Sequence, residues 1–205
     1  KPSFAIFMIS SFLICIPLAA YYAYLQNQMA AMGIENVAAT KTMGQGSEII
    51  FMLLMPFLFR KLGVKKMIAI GILAWASRYA LFALGASQQT VLMIYAGILL
   101  HGICYDFFFV TGQIYVDQAA PKNILGQAQS LNIFFTQGLG LFVGAIVCGK
   151  LYNRAFGETS AVEASSLSMW PDFWWPLCGL AAIILVIFII AFHHKDTEGA
   201  DAKIH

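Results

Sequence analysis

Six long apolar segments, each bounded by polar or turn-forming residues, dominate the hydrophobicity pattern of the chain. A helix needs about 20 mostly apolar residues to cross the hydrocarbon core of a bilayer, and each segment has about that length. Transmembrane β-strands need only about 10 residues of alternating polarity, which is not the pattern here. The segments cover roughly residues 4–25, 40–59, 67–84, 91–115, 127–149 and 173–192. We therefore predict an all-α membrane protein with six transmembrane helices.

The breaks between the segments contain charges, glycine or proline. The break at 60–66 is basic around Gly63, the break at 117–123 surrounds Pro121, and 150–172 is the longest. The first segment resembles a signal peptide, but its apolar run is too long and no small-residue cleavage site follows it. We interpret it as a spanning helix. Because the chain starts at Lys1 rather than at methionine, we expect it to be a fragment of a longer protein.

The composition supports a lipid-embedded protein. Hydrophobic residues make up 60% of the chain and charged residues only 11%, whereas about 25% of a soluble protein is charged. A net charge of +2, without a basic cluster that contains aromatic residues, argues against nucleic-acid binding. The cysteines lie in apolar runs without metal-ligand spacing, so we expect small buried side chains. They are Cys15, Cys104, Cys148 and Cys178.

Lysine and arginine are divided unequally between the two sides of the predicted bundle. One side holds eight of them (Lys1, Arg60, Lys61, Lys65, Lys66, Lys122, Lys195 and Lys203) and the other holds three (Lys41, Lys150 and Arg154). Basic loops stay in the cytoplasm, so both ends of the chain are predicted to be cytoplasmic. Trp170, Trp174 and Trp175 begin the last segment at the opposite interface, where we expect them to form an aromatic belt.

The fifth segment is rich in glycine, with a GxxxG pattern at Gly140 and Gly144. Small residues at this spacing let helix backbones approach closely, so the pattern predicts helix packing. The run from Gly144 to Lys150 also reads G-x-x-x-x-G-K, but Leu151 follows where a phosphate loop needs serine or threonine. The run also lies within a predicted membrane helix. We therefore expect neither a phosphate loop nor a cofactor.

Ionisable side chains inside membrane spans are costly and mark functional sites. Four occur here: Glu48, Arg78, His101 and Asp106. At 1.5 Å of rise per residue, the first three lie near the middle of the membrane on three different helices. Asp106 lies a turn or more closer to the cytoplasm. The depths predict a polar cavity shared by Glu48, Arg78 and His101.

Gln45 precedes Glu48 by three residues, so both side chains lie on one helix face. Gly44 and Gly46 flank them, and we expect these glycines to let a ligand reach the backbone. Loss of water around a carboxylate favours its neutral form, which suits Glu48 to carry a proton or to bind a substrate. The alternative is a permanent structural ion pair between Glu48 and Arg78.

His101 and Tyr105 lie four residues apart on one face and suit a ligand with hydroxyls and a ring, although an interhelical histidine is the alternative. Asp106 points about 140° away from His101 around the helix, and we predict a charge pair with Arg78. Gln26, at the outer end of the first segment, is a weaker binding candidate. The other intramembrane polar residues are predicted to join helices. They are Gln113, Gln129, Asn132 and Gln137.

Three stretches carry an ordered set of polar motifs, Q-x-x-E, W-x-x-R and Y-D-F-F. They are GQGSEIIFMLLMPFLFRKLGVKKM (44–67), AWASRYALFALG (74–85) and HGICYDFFFVTGQIYVD (101–117). With the glycine-rich fifth segment, they resemble the eighth to eleventh helices of bacterial nucleoside:proton symporters of the major facilitator superfamily. The resemblance covers nearly all of the chain from Gln45 onward, and the ordered set is more specific than any single motif.

The resemblance implies that residues 1–205 are the C-terminal six-helix half of a twelve-helix transporter whose N-terminal half is absent. Such transporters hold their substrate between the two halves. A nucleoside would enter with protons by alternating access across the bacterial cytoplasmic (inner) membrane. The implied partners are therefore a small-molecule substrate, protons, the lipid bilayer and the missing half.

By position in the motifs, Gln45 and Glu48 would bind the ribose or the base, and His101 and Tyr105 would stack on the base. Members of the family tend to have tyrosine in the place of His101 and phenylalanine in that of Tyr105. The first segment does not clearly reproduce the family's polar pair.

Other functions stay open at this point. A sugar:proton symporter of the same superfamily is chemically close, and a strong dependence on Trp75 would favour it over the base stacking expected of Tyr105. A membrane-embedded enzyme is not expected, because no paired metal ligands or activated nucleophile are evident in the spans. His193 and His194 are adjacent at the end of the last segment, which suits a solvated tail. A permanent Arg78–Glu48 pair without a cavity would favour a receptor.

Overall fold

The computed structural model describes residues 2–157 and 167–193, and these residues are helical with no β-strand. Within these residues, five helices are long and apolar enough to cross a membrane. They are α1 (Pro2–Ala31), α2 (Val37–Ser87), α3 (Val91–Ala119), α4 (Lys122–Phe156) and α5 (Leu167–Ala191). The predicted all-α class is confirmed. Lys1, His194, Lys195, Lys203 and part of the 150–172 break lie outside the described residues.

Helix α2 contains two of the predicted segments in one element of 51 residues. Its only non-helical residue is Gly63, with φ 68° and ψ 175°. Glycine adopts a positive φ at little cost because it has no Cβ. The predicted loop at 60–66 is therefore a break of one residue, which divides α2 into an N-terminal arm (37–62) and a C-terminal arm (64–87).

The C-terminal arm of α2 packs antiparallel to α3 at very short range. A Cβ added at Gly71 would lie 2.9 Å from the backbone nitrogen of Phe108, and one at Gly85 would lie 2.9 Å from Cδ1 of Ile94. Between these contacts, Arg78 falls opposite residues 100–101 of α3. The register of this helix pair therefore determines which polar side chains can meet.

Helix α4 packs on α1 through the two glycines of the GxxxG pattern. A Cβ at Gly140 would lie 2.8 Å from Cβ of Cys15, and one at Gly144 would lie 2.8 Å from Cβ of Ala19. One turn further on, the thiol of Cys148 donates to the carbonyl oxygen of Ile16 at 3.3 Å. The predicted packing role of these glycines is confirmed.

Two π-helical turns interrupt the regular helices, at Asp106–Val110 in α3 and at Phe134–Gly140 in α4. Such turns insert an extra residue and are frequent at functional sites. The hydroxyl of Thr136 in the second turn donates to the carbonyl oxygen of Asn132 at 2.7 Å.

Between α3 and α4, the amide of Gln129 donates to the Gln113 carbonyl oxygen at 2.9 Å. Gln129 therefore joins two helices, as predicted.

The start of α5 belongs to the aromatic core. Trp170 and Trp174 are fully buried, whereas Trp175 is 45% exposed. Trp174 stacks on Tyr79 with ring centroids 5.7 Å apart, and Trp170 meets Phe156 edge-on at 4.9 Å. The predicted aromatic belt is wrong for Trp170 and Trp174, because α5 turns this face toward α2 and α4 rather than toward lipid.

Candidate functional site

The site is built on a contact between the N-terminal arm of α2 and α3. The backbone N–H of Gly102 donates to the hydroxyl of Ser47 at 3.0 Å, and that hydroxyl donates to the Gly44 carbonyl oxygen at 2.6 Å. A Cβ at Gly102 would lie 2.6 Å from the carbonyl oxygen of Ser47. Only glycine permits this approach, which holds the residue after Ser47 against α3.

That residue is Glu48, and it faces His101. Its Oε2 lies 3.7 Å from Nε2 of His101, with the side chain of Glu48 26% exposed and that of His101 8% exposed. Nδ1 of His101 is buried and has no hydrogen-bond partner among the described residues. At 3.7 Å the carboxyl and imidazole groups are just beyond hydrogen-bond distance. They can share a proton after a small movement toward each other, or through one bridging water molecule.

Helix α1 contributes an aromatic wall. The buried ring of Tyr21 stacks on His101, with centroids 5.4 Å apart and an interplanar angle of 18°. The ring of Tyr105 lies 5.8 Å from that of His101. His101 and Tyr105 therefore share a face, as predicted. Together with Tyr21 they form a group of flat side chains from two helices.

Arg78 is fully buried and lies behind Tyr21. Its Nε donates to the carbonyl oxygen of Gly97 at 2.9 Å, and its guanidinium carbon lies 4.2 Å from the Tyr21 ring centroid and 5.0 Å from that of Trp75. Both terminal nitrogens have no hydrogen-bond partner within the described residues. The cation is thus held by aromatic faces and one carbonyl group.

The predicted charge pair of Arg78 with Asp106, and the alternative pair with Glu48, are not formed: in the described part of the chain, no salt bridge joins Arg78 to either carboxylate. The reason for Asp106 is the helix register. Arg78 falls opposite residues 100–101, so Asp106 lies at least five residues, or about 8 Å, further along α3. Asp106 is itself fully buried at the start of the first π-turn, and both carboxyl oxygens lack a hydrogen-bond partner among the described residues.

A cavity of about 200 Å³ lies beside Tyr21 and His101. Its lining comes from α1, the N-terminal arm of α2 and α3, and consists of Tyr21, Tyr22, Ala38, Lys41, Thr42, Gln45 and His101. Gln45 and His101 therefore meet in one cavity, with Glu48 adjacent to His101. The exposed side chain of Gln26 does not line this cavity, and Trp75 is fully buried.

Of the two glycines beside Glu48, Gly44 does not act as we expected. A Cβ at Gly44 would lie 3.1 Å from Cβ of His101, so this face is filled by α3 rather than open to a ligand. Gly46 is exposed, with no atom within 4 Å of an added Cβ. Gly44 therefore serves helix packing, because α3 occupies the space that its missing side chain leaves.

Four residues of the site were not predicted as site residues from the sequence: Tyr21, Lys41, Ser47 and Gly102. For Lys41 a signal was present, because it precedes Gln45 by four residues and thus shares its helix face. For Tyr21 the signal was its position in the polar end of the first segment, five residues before the candidate Gln26. Ser47 and Gly102 gave no such signal, since their role depends on the distance between two helices.

The chain has clear relatives. The family model for nucleoside H+ symporters matches residues 1–197. YegT of Escherichia coli (strain K12) is 35% identical over 98% of this chain and 48% of its own length. The nucleoside permease NupG of the same organism is 27% identical over 80% of this chain and 38% of its own length. Its xanthosine permease is 26% identical over 77% of this chain and 36% of its own length.

The fold is also similar to a solved transporter. The crystal structure of the nucleoside transporter NupG superposes with a TM-score of 0.78 at 24% identity, over 95% of this chain and 49% of NupG. Its D323A mutant gives a TM-score of 0.80. This chain spans about half the length of YegT and of the solved NupG chain. On the match over residues 1–197, the chain belongs to the nucleoside H+ symporter family.

Proposed function

We propose that the chain is the C-terminal six-helix half of a major facilitator superfamily transporter that takes up nucleosides with protons across the bacterial inner membrane. One observation carries this proposal: the family match covers 1–197, which includes every residue that lines the cavity. The relatives include a nucleoside permease and a xanthosine permease. Transport rather than an enzymatic reaction is therefore the proposed activity.

The six spans of this proposal follow from the break at Gly63. The arms 37–62 and 64–87 are 26 and 24 residues long. Each is long enough to cross a bilayer separately. With α1, α3, α4 and α5 they make six spans, which places both ends on one side. The basic residues around Gly63 support a cytoplasmic location for that side.

The substrate is proposed to bind in the cavity. Gln45 offers an amide to ribose hydroxyls or base edges, and the flat rings of His101 and Tyr105 suit stacking on a base. Gln26, which does not line the cavity, is proposed to contact the substrate near the outer end of α1. At about 200 Å³ the cavity is smaller than a typical ligand pocket of about 300–1,000 Å³, so we infer that the other half of the transporter supplies the remaining wall.

A sugar substrate finds less support at this site. Stacking on a sugar ring would need an exposed aromatic face, and Trp75 is fully buried behind the guanidinium of Arg78. The rings that line the cavity are Tyr21, Tyr22 and His101, of which Tyr22 is exposed. Because Trp75 does not line the cavity, the feature that would favour a sugar is missing there.

Glu48 is the proposed proton carrier at the cavity. Its carboxyl group is partly exposed and lies beside His101, so it can exchange protons with water in the cavity. Asp106 is proposed as a second proton-coupling carboxyl deeper in α3, where it is buried without a hydrogen-bond partner among the described residues. Burial of a carboxyl without a partner favours its neutral form. Arg78 is proposed to provide a fixed positive charge at the level of Glu48.

Uptake of radiolabelled uridine tests the proposed function. The full-length protein that contains this chain would be expressed in cells that lack their own nucleoside permeases. We expect uptake that is inhibited by unlabelled adenosine and collapses when an uncoupler removes the proton gradient. An absence of nucleoside uptake from well-expressed membrane protein would overturn the assignment, and uptake that is insensitive to the uncoupler would overturn the proton coupling.

A further inference from the structure

We propose that Lys41 makes this site prefer nucleosides whose base carries a negative charge at neutral pH. The inference rests on the proposed function, nucleoside transport, and adds the charge of the preferred substrate. Lys41 lines the cavity and has no salt-bridge partner among the described residues.

Lys41 lines the cavity together with Gln45 and His101. Its Nζ lies 5.7 Å from the ring centroid of Tyr21, which is near the outer limit of a cation–π contact. Within the described residues, no carboxylate lies within 4.0 Å of this ammonium group. An ammonium group that lines a cavity without a carboxylate partner is a charged donor available to an anionic ligand.

The surroundings of Lys41 add to the positive charge. The guanidinium of Arg78 lies 4.2 Å from the same Tyr21 ring, so two cations approach one aromatic side chain. The carboxyl groups near them are Glu48 on the N-terminal arm of α2 and, deeper in α3, Asp106. When Glu48 takes up the proton that drives transport, its negative charge is lost. The positive charges of Lys41 and Arg78 then exceed the negative charge around the cavity.

An exposed aromatic ring favours one kind of anion. Tyr22 lines the cavity and is 43% exposed, whereas Tyr21 and His101 are buried against each other. A free ring face suits a planar base better than a compact phosphate. A base anion spreads its charge over the ring, so one ammonium group can pair with it while Gln45 bonds its edge. A xanthine base loses a proton near neutral pH, whereas the hypoxanthine base of inosine stays neutral and differs by one exocyclic oxygen.

Xanthosine and inosine are therefore the matched probes. We would measure kcat/KM for uptake of each by the full-length protein at pH 7.5, and express the preference as their ratio. We expect Lys41→Gln to lower the xanthosine-to-inosine ratio about tenfold, since one charge-assisted contact is lost. Lys41→Arg, which keeps the charge, should retain most of the ratio.

Lys61 provides the control lysine. Its Nζ lies 4.2 Å from the Phe57 ring centroid, so it also rests on an aromatic side chain, but it does not line the cavity. Lys61→Gln should leave the ratio unchanged. In the unsubstituted protein the ratio should also fall at pH 5, where xanthosine becomes neutral and inosine is unaffected.

The outcomes separate the two proposals. Uptake of both nucleosides with a ratio that Lys41→Gln leaves unchanged would overturn the role of Lys41 while nucleoside transport stands. Uptake of neither would overturn the proposed function and this inference with it. Should Lys41→Gln fail to reach the membrane, a ratio near one in the Lys41→Arg variant or in the unsubstituted protein would equally overturn the preference.

Discussion

Replacing Glu48 with glutamine is expected to reduce concentrative nucleoside uptake at least about tenfold. Glutamine has nearly the same shape and can still bond a nucleoside, but it cannot take up and release a proton. Glu48 lies 3.7 Å from His101 and is partly exposed beside the cavity. The loss should therefore appear in uptake driven by a proton gradient, measured with radiolabelled uridine.

Exchange transport separates loss of coupling from loss of binding. When labelled nucleoside outside exchanges with unlabelled nucleoside inside, no net proton movement is required, so Glu48→Gln should retain part of this activity. Glu35→Gln is the matched control, because Glu35 is exposed in the connection between α1 and α2. A Glu48→Gln variant that still concentrates nucleoside and remains sensitive to an uncoupler would contradict the proposed role.

Adding one methyl group at Gly102 should be nearly as damaging. A Cβ there would lie 2.6 Å from the carbonyl oxygen of Ser47 and 2.8 Å from the backbone nitrogen of Glu48. Both atoms belong to backbone, so the two helices must separate. Overpacking of this kind costs about 1–3 kcal/mol, and it also moves Glu48 away from His101. We expect Gly102→Ala to lower the Tm of the detergent-solubilised protein and uptake at least about tenfold.

Gly46→Ala is the control for this substitution. Gly46 lies on the same arm of α2, and an added Cβ would meet no atom within 4 Å. Alanine is also the better helix former, so the free energy of unfolding should stay the same or rise slightly. A Gly102→Ala variant with unchanged Tm and uptake would show that the short contact between the N-terminal arm and α3 is not required.

Much of the fold could be predicted because the membrane imposes simple rules. A span must be long and apolar, so the helices were found, and small residues at fixed spacing predicted the α1–α4 contact at Gly140 and Gly144. The break around Gly63 was predicted at the right place, but its length was overestimated. One glycine with a positive φ is enough to interrupt α2. The π-turn at Asp106 was missed, since helix packing rather than local composition determines such turns.

The site was predictable in depth but not in its pairings. A fixed rise per residue predicted one level for Glu48, Arg78 and His101, and the helix contacts agree with it, but Arg78 is buried and does not line the cavity. Pairing depends on helix register and on competing contacts, which a single sequence does not contain. Arg78 thus contacts Tyr21 and the Gly97 carbonyl group instead of a carboxylate. Lys41 was counted as a loop charge although it lines the cavity.

The most direct test of proton-coupled nucleoside transport follows the protons themselves. The full-length protein would be reconstituted into lipid vesicles with a pH-sensitive dye inside, with no pH gradient, and uridine would be added outside. We expect the interior to acidify as uridine enters, with no response from empty vesicles and a strongly reduced one from Glu48→Gln. Uridine entry without acidification would contradict proton coupling, and no entry into vesicles that contain folded protein would contradict nucleoside transport.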